Sequence, residues 1–357
     1  MTAPVLIMAG GTGGHVFPAL AVAERLREQG VPVVWLGTRQ GLEARVVPEA
    51  DIPIEWLRVR GLRGNGLRGW LAAPFVLLRA LGQALSVLRR HKPGAVLGMG
   101  GYAAGPGAVA AWLTRRPLII HEQNAVAGLT NRLLGRLARR VLTGFPGLLP
   151  ERGGEHVGNP VRAAISRVPG PAERGVGERR PLRLLVVGGS LGALALNSTV
   201  PAALARLAPE ERPEVRHQAG ERTLQQAREA YDQAGVAVDL LPFIDDMAAA
   251  WAWADLVICR AGALTVAELE AVGVPAILVP LPGAVDDHQT ANACQFVEAG
   301  AGVLLPQQAL SAQRLALELK TLLADPQRLQ RMAACARELG RPDAAATVAR
   351  ICLEEAR

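Results

Sequence analysis

What this 357-residue sequence lacks narrows its class first. It has no stretch of ~18 or more uncharged apolar residues, which argues against a membrane-spanning helix. The N-terminus lacks the charged-then-apolar pattern of a secretory leader, because its one apolar run, 5–8, reads as a strand; the cytosol is the expected compartment. Cysteine is scarce. Cys259, Cys294, Cys335 and Cys352 show no C-x-x-C or Cys/His spacing and lie among apolar neighbours, which predicts buried thiols and not disulfides or zinc ligands. No D-x-D accompanies Asp286-Asp287, and an adjacent acidic pair on a loop is usually solvated, so no metal is expected. Asp245-Asp246 reads as the polar start of a helix.

Half of the residues are apolar and a fifth charged, as in an ordinary soluble globular protein long enough for about two domains. The net charge of +7 hides an asymmetry. Residues 1–160 hold 19 Lys and Arg against 9 Asp and Glu, while 161–357 hold 20 against 23, so the first half is the one suited to an anionic partner.

The stretch V-L-I-M-A-G-G-T-G-G-H-V-F-P, 5–18, concentrates the chemistry. A buried strand runs into Gly10, Gly11, Gly13 and Gly14, which allow a sharp turn, and Pro18 follows as in the first turn of a helix. Such a turn presents backbone N–H groups and a partial positive charge to an anion. Position 16 is Val, so this is not G-x-G-x-x-G, and no Gly-Lys-Ser/Thr makes it a Walker loop. It points to a phosphate or sugar rather than to NAD or ATP.

Helical patterns over 18–29 and 42–49 alternate with strands at 33–36 and 54–57, a β-α-β-α rhythm that predicts a parallel sheet covered on both faces. Residues 58–70 then combine Arg58, Arg60, Arg63 and Arg68 with four glycines, leading into an apolar helical run, 70–88, closed by Arg89, Arg90 and Lys92. One reading is an interfacial surface whose apolar side chains enter a membrane while arginines meet anionic head groups; the other is a core helix with a solvated basic end. The charge asymmetry favours the first.

A strand at 95–97 ends in a second glycine turn, G-M-G-G-Y, 98–102. A strand at 118–120 runs into His121, Glu122, Gln123 and Asn124. Carboxyl ends of strands line the binding crevice in doubly wound sheets, which makes these polar residues candidate ligand contacts. The plainer reading is that Glu122 and Asn124 bond to local backbone. Residues 166–181, rich in Pro, Gly and charge, read as an interdomain linker.

After it the opening theme repeats: an apolar strand, 182–187, then G-G-S-L-G-A, 188–193, and a helix to about 208. The stretch 188–192 also fits G-x-S-x-G, a hydrolase nucleophile elbow with His288 downstream. That scheme leaves the first 160 residues without a role, and the alternative is a second phosphate cradle around Ser190. Further strands near 214–217, 236–240, 255–259, 275–279 and 302–305 predict a second β/α domain. Three helices follow, 311–323, 326–339 and 343–356. The last has no strand before it and is free to pack on the first domain. Thr265 and Glu268 have capping-box spacing, while a functional reading sets Glu268 on paired ribose hydroxyls.

Taken together, G-G-T-G-G-H (10–15), G-M-G-G-Y (98–102), H-E-Q-N (121–124), G-N-P-V-R (158–162), G-G-S-L-G-A (188–193), F-I-D-D-M (243–247) and A-L-T-V-A-E (263–268) resemble the MurG family, the N-acetylglucosaminyltransferases of bacterial peptidoglycan synthesis, over essentially the whole chain. The resemblance implies an α/β fold of two Rossmann-like doubly wound parallel-sheet domains facing across a cleft (GT-B). The expected division is 1–163 as the acceptor- and membrane-facing domain, with the helix of about 343–357 packed on it, and 164–342 as the UDP-GlcNAc-binding domain. It implies an inverting transfer of GlcNAc from UDP-GlcNAc to the 4-hydroxyl of MurNAc in lipid I, undecaprenyl-diphospho-N-acetylmuramoyl-pentapeptide. The β-1,4-linked product is lipid II, made at the cytoplasmic face of the inner membrane by a peripheral protein. A UDP-GlcNAc 2-epimerase of the same fold is the alternative, and a nucleotide-sugar binding module is a third reading.

By the resemblance, Thr12, Gly13, Gly14, Asn124, Arg162, Ser190, Ile244, Ala263, Leu264, Thr265, Val266, Ala267, Glu268 and Gln289 match donor-contacting positions. Tyr102, His121 and Glu122 are acceptor-side candidates. Leu191 stands where the family often has Gln, and Ala261 where it often has Ser. The implied chemistry needs a base for the acceptor hydroxyl and stabilisation of the leaving diphosphate. His15 is the candidate base, since imidazole ionises near neutrality. The helix starts after Ser190 and Ala263, with Arg162, would carry the leaving charge, so neither metal nor cofactor is expected. UDP-GlcNAc, lipid I and an anionic membrane surface are the implied partners, and nucleic acid is not one.

Overall fold

The computed structural model describes residues 2–59, 66–189 and 192–356, and for 66–73 and Val285 the backbone only. The chain forms two compact units, Met1–Arg162 with Pro342–Arg357, and Ala163–Arg341.

In the first unit strands and helices alternate: β1 (Val5–Ala9), α1 (Gly13–Glu28), β2 (Val33–Gly37), α2 (Glu43–Glu49), β3 (Ile54–Trp56), α3 (Gly66–His91), β4 (Ala95–Gly100), α4 (Ala104–Leu113), β5 (Leu118–Glu122), α5 (Leu129–Leu134), β6 (Arg140–Thr143) and β7 (Gly154–His156). The sheet runs β3-β2-β1-β4-β5-β6-β7, every pair parallel. Every residue of β1 is buried, which is why its sequence is a continuous apolar run and not an alternation. Ile7 and Trp35 face a cluster with Val16 and Leu26 of α1, while Leu6, Met8 and Leu36 face Ala80, Ala84 and Leu88 of α3 and Ala108 of α4. Helices therefore cover both faces, as the rhythm predicted. The sheet order reverses direction between β1 and β4, which brings the two glycine turns side by side.

Helix α1 begins at Gly13, five residues before the expected start, so Pro18 sits in its second turn and His15 in its first. β6 and β7 were not legible; strands of four and three residues carry too little pattern to register.

The second unit opens with two short helices, α6 (Ala163–Ser166) and α7 (Pro171–Arg174). There follow β8 (Arg183–Val187), α8 (Leu194–Leu204), β9 (Glu214–Gln218), α9 (Leu224–Ala234), β10 (Asp239–Leu241), α10 (Met247–Trp253), β11 (Leu256–Cys259), α11 (Ala263–Val272), β12 (Ala276–Leu278), α12 (His288–Glu298), β13 (Gly302–Leu304), α13 (Ala312–Leu323) and α14 (Pro326–Leu339). Its parallel sheet runs β10-β9-β8-β11-β12-β13. The final helix, α15 (Ala344–Glu355), belongs to the first unit, where Val348, Ile351 and Cys352 join the core beside α1 and Glu355 pairs with Arg139 at 2.6 Å.

The linker reading of 166–181 is corrected. Arg174 is buried and its guanidinium donates to the carbonyls of Trp251, Ala254, Val272 and Gly273, so the segment is strapped onto the second unit. Its composition resembles a tether because only a few apolar side chains, Val168 and Val176 among them, are buried there, while backbone carbonyls take up the Arg174 guanidinium. The thiol reading is corrected in part: Cys259 and Cys352 are buried, Cys294 and Cys335 only half-buried, and all four are free. Among the described residues, no helix is long and apolar enough to cross a membrane.

Candidate active site

The first unit gathers its candidates at the carboxyl ends of β1, β4 and β5. Between β1 and α1 the chain turns through Gly11 at a φ of +89°, a conformation that a side chain resists. Beneath the turn, the fully buried Glu43 of α2 accepts the Gly11 N–H at 2.9 Å through Oε2, and the Thr38 N–H and hydroxyl at 2.9 and 2.7 Å through Oε1. Three hydrogen bonds supply the partners that a buried carboxylate needs. Thr12 is the exposed N-cap of α1, with Gly13, Gly14 and His15 as its first turn.

The turn after β4 packs onto this one. Gly100 has a φ of +106°, and a methyl group there would lie 2.7 Å from His15 Nδ1; one at Gly101 would fall on the Gly10 backbone. The second glycine turn is thus thin because the first turn and the His15 ring occupy its space. Tyr102, next in the chain, is 57% exposed and available to a ligand. Arg162 lies over the Phe17 ring at 5.9 Å.

At the end of β5, Gln123 Oε1 lies 2.9 Å from His15 Nδ1. Its Nε2 donates to the His121 carbonyl at 3.0 Å and lies 3.2 Å from His121 Nδ1. His121 Nε2 in turn lies 2.9 Å from the Gly158 carbonyl, and burial pushes the His121 imidazole down to about 4, so it is neutral near pH 7. Glu122 accepts from the Asn124 N–H, the Gly128 N–H and the Asn131 amide, at 3.0, 3.1 and 2.8 Å. His121 and Glu122 are enclosed, at 0% and 3% exposure, so the structure places both under the site and neither at its surface. The physical reason is that each is bound to the loops that follow the strands. Asn124 is half-buried beside them.

In the second unit, the loop after β8 passes Gly189 and Gly192, both with positive φ, and Ser190 and Leu191 lie outside the described residues. Helix α11 starts directly after β11, with Gly262 as N-cap and no side-chain cap. The capping-box reading of Thr265 and Glu268 is therefore corrected, because Thr265 lies within the first turn and not before it. Ala263, Val266, Ala267 and Glu268 are buried, Leu264 and Thr265 half-buried. Glu268 accepts the Trp251 indole N–H at 3.0 Å, which orients its carboxylate. Arg260 and Asn292 brace the loop, donating to the Val279 and Ala261 carbonyls at 3.1 and 3.0 Å. Gln289 accepts the Leu281 N–H at 2.9 Å, Ile244 is buried before α10, and Asp246 caps α10 by accepting from the Ala249 N–H. Among the described residues, no group of three or more His, Cys, Asp or Glu is placed to hold a metal ion.

The sequence matches the glycosyltransferase family 28 N-terminal domain over 5–143 and the family's C-terminal domain over 183–348. A protein of Alkalilimnicola ehrlichii, a UDP-N-acetylglucosamine–N-acetylmuramyl-(pentapeptide) pyrophosphoryl-undecaprenol N-acetylglucosamine transferase, is 90% identical over the full length of both chains. The chain belongs to the MurG family of glycosyltransferases. A MurG relative of the same description from Nitrosococcus oceani is 58% identical over 100% of this chain and 99% of its own. The crystal structure of Acinetobacter baumannii MurG superposes with a TM-score of 0.85 at 43% identity, covering 98% of this chain and 99% of that one. A UDP-GlcNAc 2-epimerase from Neisseria meningitidis, at a TM-score of 0.68 and 14% identity over 98% and 100% of the two chains, shares the fold alone. Membership of MurG also removes the hydrolase reading of 188–192.

Two contacts of the site were not foreseen from sequence. Gln123 was expected only as one of four polar residues facing a ligand, not as the partner of His15, and Glu43 sits in a helix 32 residues from the glycine that it holds. The one available signal for Glu43 was an acidic residue enclosed by apolar positions.

Proposed function

We propose that the chain transfers GlcNAc from UDP-GlcNAc to the 4-hydroxyl of MurNAc in lipid I, inverting the anomeric centre to give the β-1,4 bond of lipid II. His15 takes the proton of the acceptor hydroxyl. The observation that carries this role is the placement of His15 in the first turn of α1, its ring held by Gln123 and closely approached by Gly100. Tyr102 supports the acceptor, and Thr12, Gly13, Gly14 and Asn124 present the surface on which the sugars react.

The second unit holds the donor. The N-termini of α8 and α11, with the Ser190 hydroxyl, bear the leaving diphosphate's charge, and Glu268 accepts from the ribose hydroxyls. Leu264, Thr265, Ile244 and Gln289 complete the nucleotide contacts. In this arrangement the charge is met by protein groups, and turnover needs no metal.

The protein works as a peripheral protein at the cytoplasmic face of the membrane. Support comes from the neighbouring helices α3, α4 and α5 of the first unit, which carry Phe75, Leu78, Trp112, Leu129 and Leu133 at 76%, 65%, 53%, 58% and 52% exposure, with Arg79, Arg115, Arg116, Arg132 and Arg136 close to them in sequence. The function is tested by incubating the protein with UDP-GlcNAc and a lipid I analogue. The His15→Ala variant should lose turnover and retain UDP binding, whereas equal turnover would remove His15 from the mechanism. The surface is tested with vesicles containing anionic lipid, to which Phe75→Ser/Leu78→Ser should bind more weakly.

A further inference from the structure

The polar groups beneath His15 form a chain in which each proton position follows from the last. A backbone carbonyl can only accept, so the Gly158 oxygen requires a proton on His121 Nε2. His121 is enclosed and neutral, which leaves its Nδ1 as an acceptor. The Gln123 amide must then turn its NH2 toward His121, and the His121 carbonyl at 3.0 Å demands the same orientation independently. Asn159 holds the Gln123 main chain by donating to its carbonyl at 2.9 Å. With Nε2 so engaged, Gln123 presents Oε1 to His15 Nδ1 at 2.9 Å, and an amide oxygen can only accept.

We propose that Gln123 is a positioning residue that locks His15 in the tautomer protonated at Nδ1, leaving the lone pair on Nε2 for the acceptor hydroxyl. This rests on the reading of His15 as the base. A side-chain amide does for His15 what a carboxylate does in many His-based sites, but without placing a negative charge beside it. Gly100 completes the lock, since a side chain there would push the Nδ1 edge away from Gln123. If the amide were reversed, its NH2 would meet Nδ1, the proton would move to Nε2, and the base would be lost.

Nitrogen NMR of the histidine-labelled wild-type protein reads the tautomer directly, with His15→Ala identifying the His15 signals. In the neutral ring, Nδ1 should carry the proton and Nε2 should show the shift of an unprotonated nitrogen; a proton on Nε2 overturns the proposal. In Gln123→Leu the His15 signals should move toward the other tautomer, and kcat should fall roughly 10- to 100-fold with little change in KM for UDP-GlcNAc, a scale taken from the loss of partners that orient metal-bound histidines. Gln123→Glu, which keeps an acceptor facing Nδ1, should keep the wild-type His15 tautomer; unchanged His15 signals and kcat in Gln123→Leu would contradict the lock. The two readings separate cleanly. A wild-type tautomer as stated with full turnover by His15→Ala would sink the base and leave the lock standing, while an inactive His15→Ala with the proton on Nε2 would do the reverse.

Discussion

The buried Glu43 carboxylate ties the Gly11 N–H to Thr38, holding the first glycine turn from below at 2.9 Å. An amide of the same shape has one acceptor oxygen in place of two. Glu43→Gln should therefore leave either Gly11 or Thr38 without its partner and lower stability by about 1–3 kcal/mol. Urea denaturation measures the loss, and kcat should fall with it because His15 stands on the turn that Gly11 opens.

Gly100→Ala should act on the reaction more than on donor binding. The added methyl group meets the His15 ring 2.7 Å from Nδ1, at a φ where alanine is already strained. Turnover should drop sharply while UDP affinity, measured by calorimetry, stays near the wild-type value.

Helix α15 closes the core of the first unit although it ends the chain. Ile351 is fully buried against that core, so Ile351→Ala should cost about 2–5 kcal/mol. Arg139→Ala removes a largely exposed partner of Glu355 and should cost far less. Thermal unfolding of the two variants checks the contrast.

Acid should destabilise the protein before its carboxylates titrate. Burial holds His121 at about 4 and His217 at about 3, against an ordinary value of 6.5. Both values are depressed by folding, so the stability of the neutral rings is fully present above pH 6.5 and is lost as pH falls, because the unfolded chain takes up protons that the folded chain refuses. Between pH 6.5 and 5 each ring should contribute a slope approaching about 1.4 kcal/mol per pH unit. His217 Nδ1 lies 3.0 Å from the Tyr231 hydroxyl, so His217→Phe/Tyr231→Phe removes one ring's share without leaving that hydroxyl alone. Its unfolding free energy should vary less steeply with pH over this window, and an unchanged slope would refute the assignment.

Much of this protein is legible in its sequence. The runs at 5–8 and 182–187, each followed by glycines, mark the central strands of two parallel sheets, because strands buried on both faces need continuous apolar residues and the turns after them need positive φ. What was hidden depends on partners distant in the chain. Gln123 meets His15 across 108 residues, and Arg174 finds carbonyls some 77–99 residues away, contacts that leave no local pattern. His121 and Glu122 were readable as polar residues at a strand end, but their burial was not, since the loops that enclose them come later in the chain.

The most direct test of the account follows UDP release and disaccharide formation together in one reaction containing the protein, UDP-GlcNAc and a lipid I analogue. One equivalent of UDP is expected for each β-1,4-linked disaccharide formed, with both products dependent on the acceptor. UDP released in full without the acceptor, or donor sugar recovered as its 2-epimer, would contradict it.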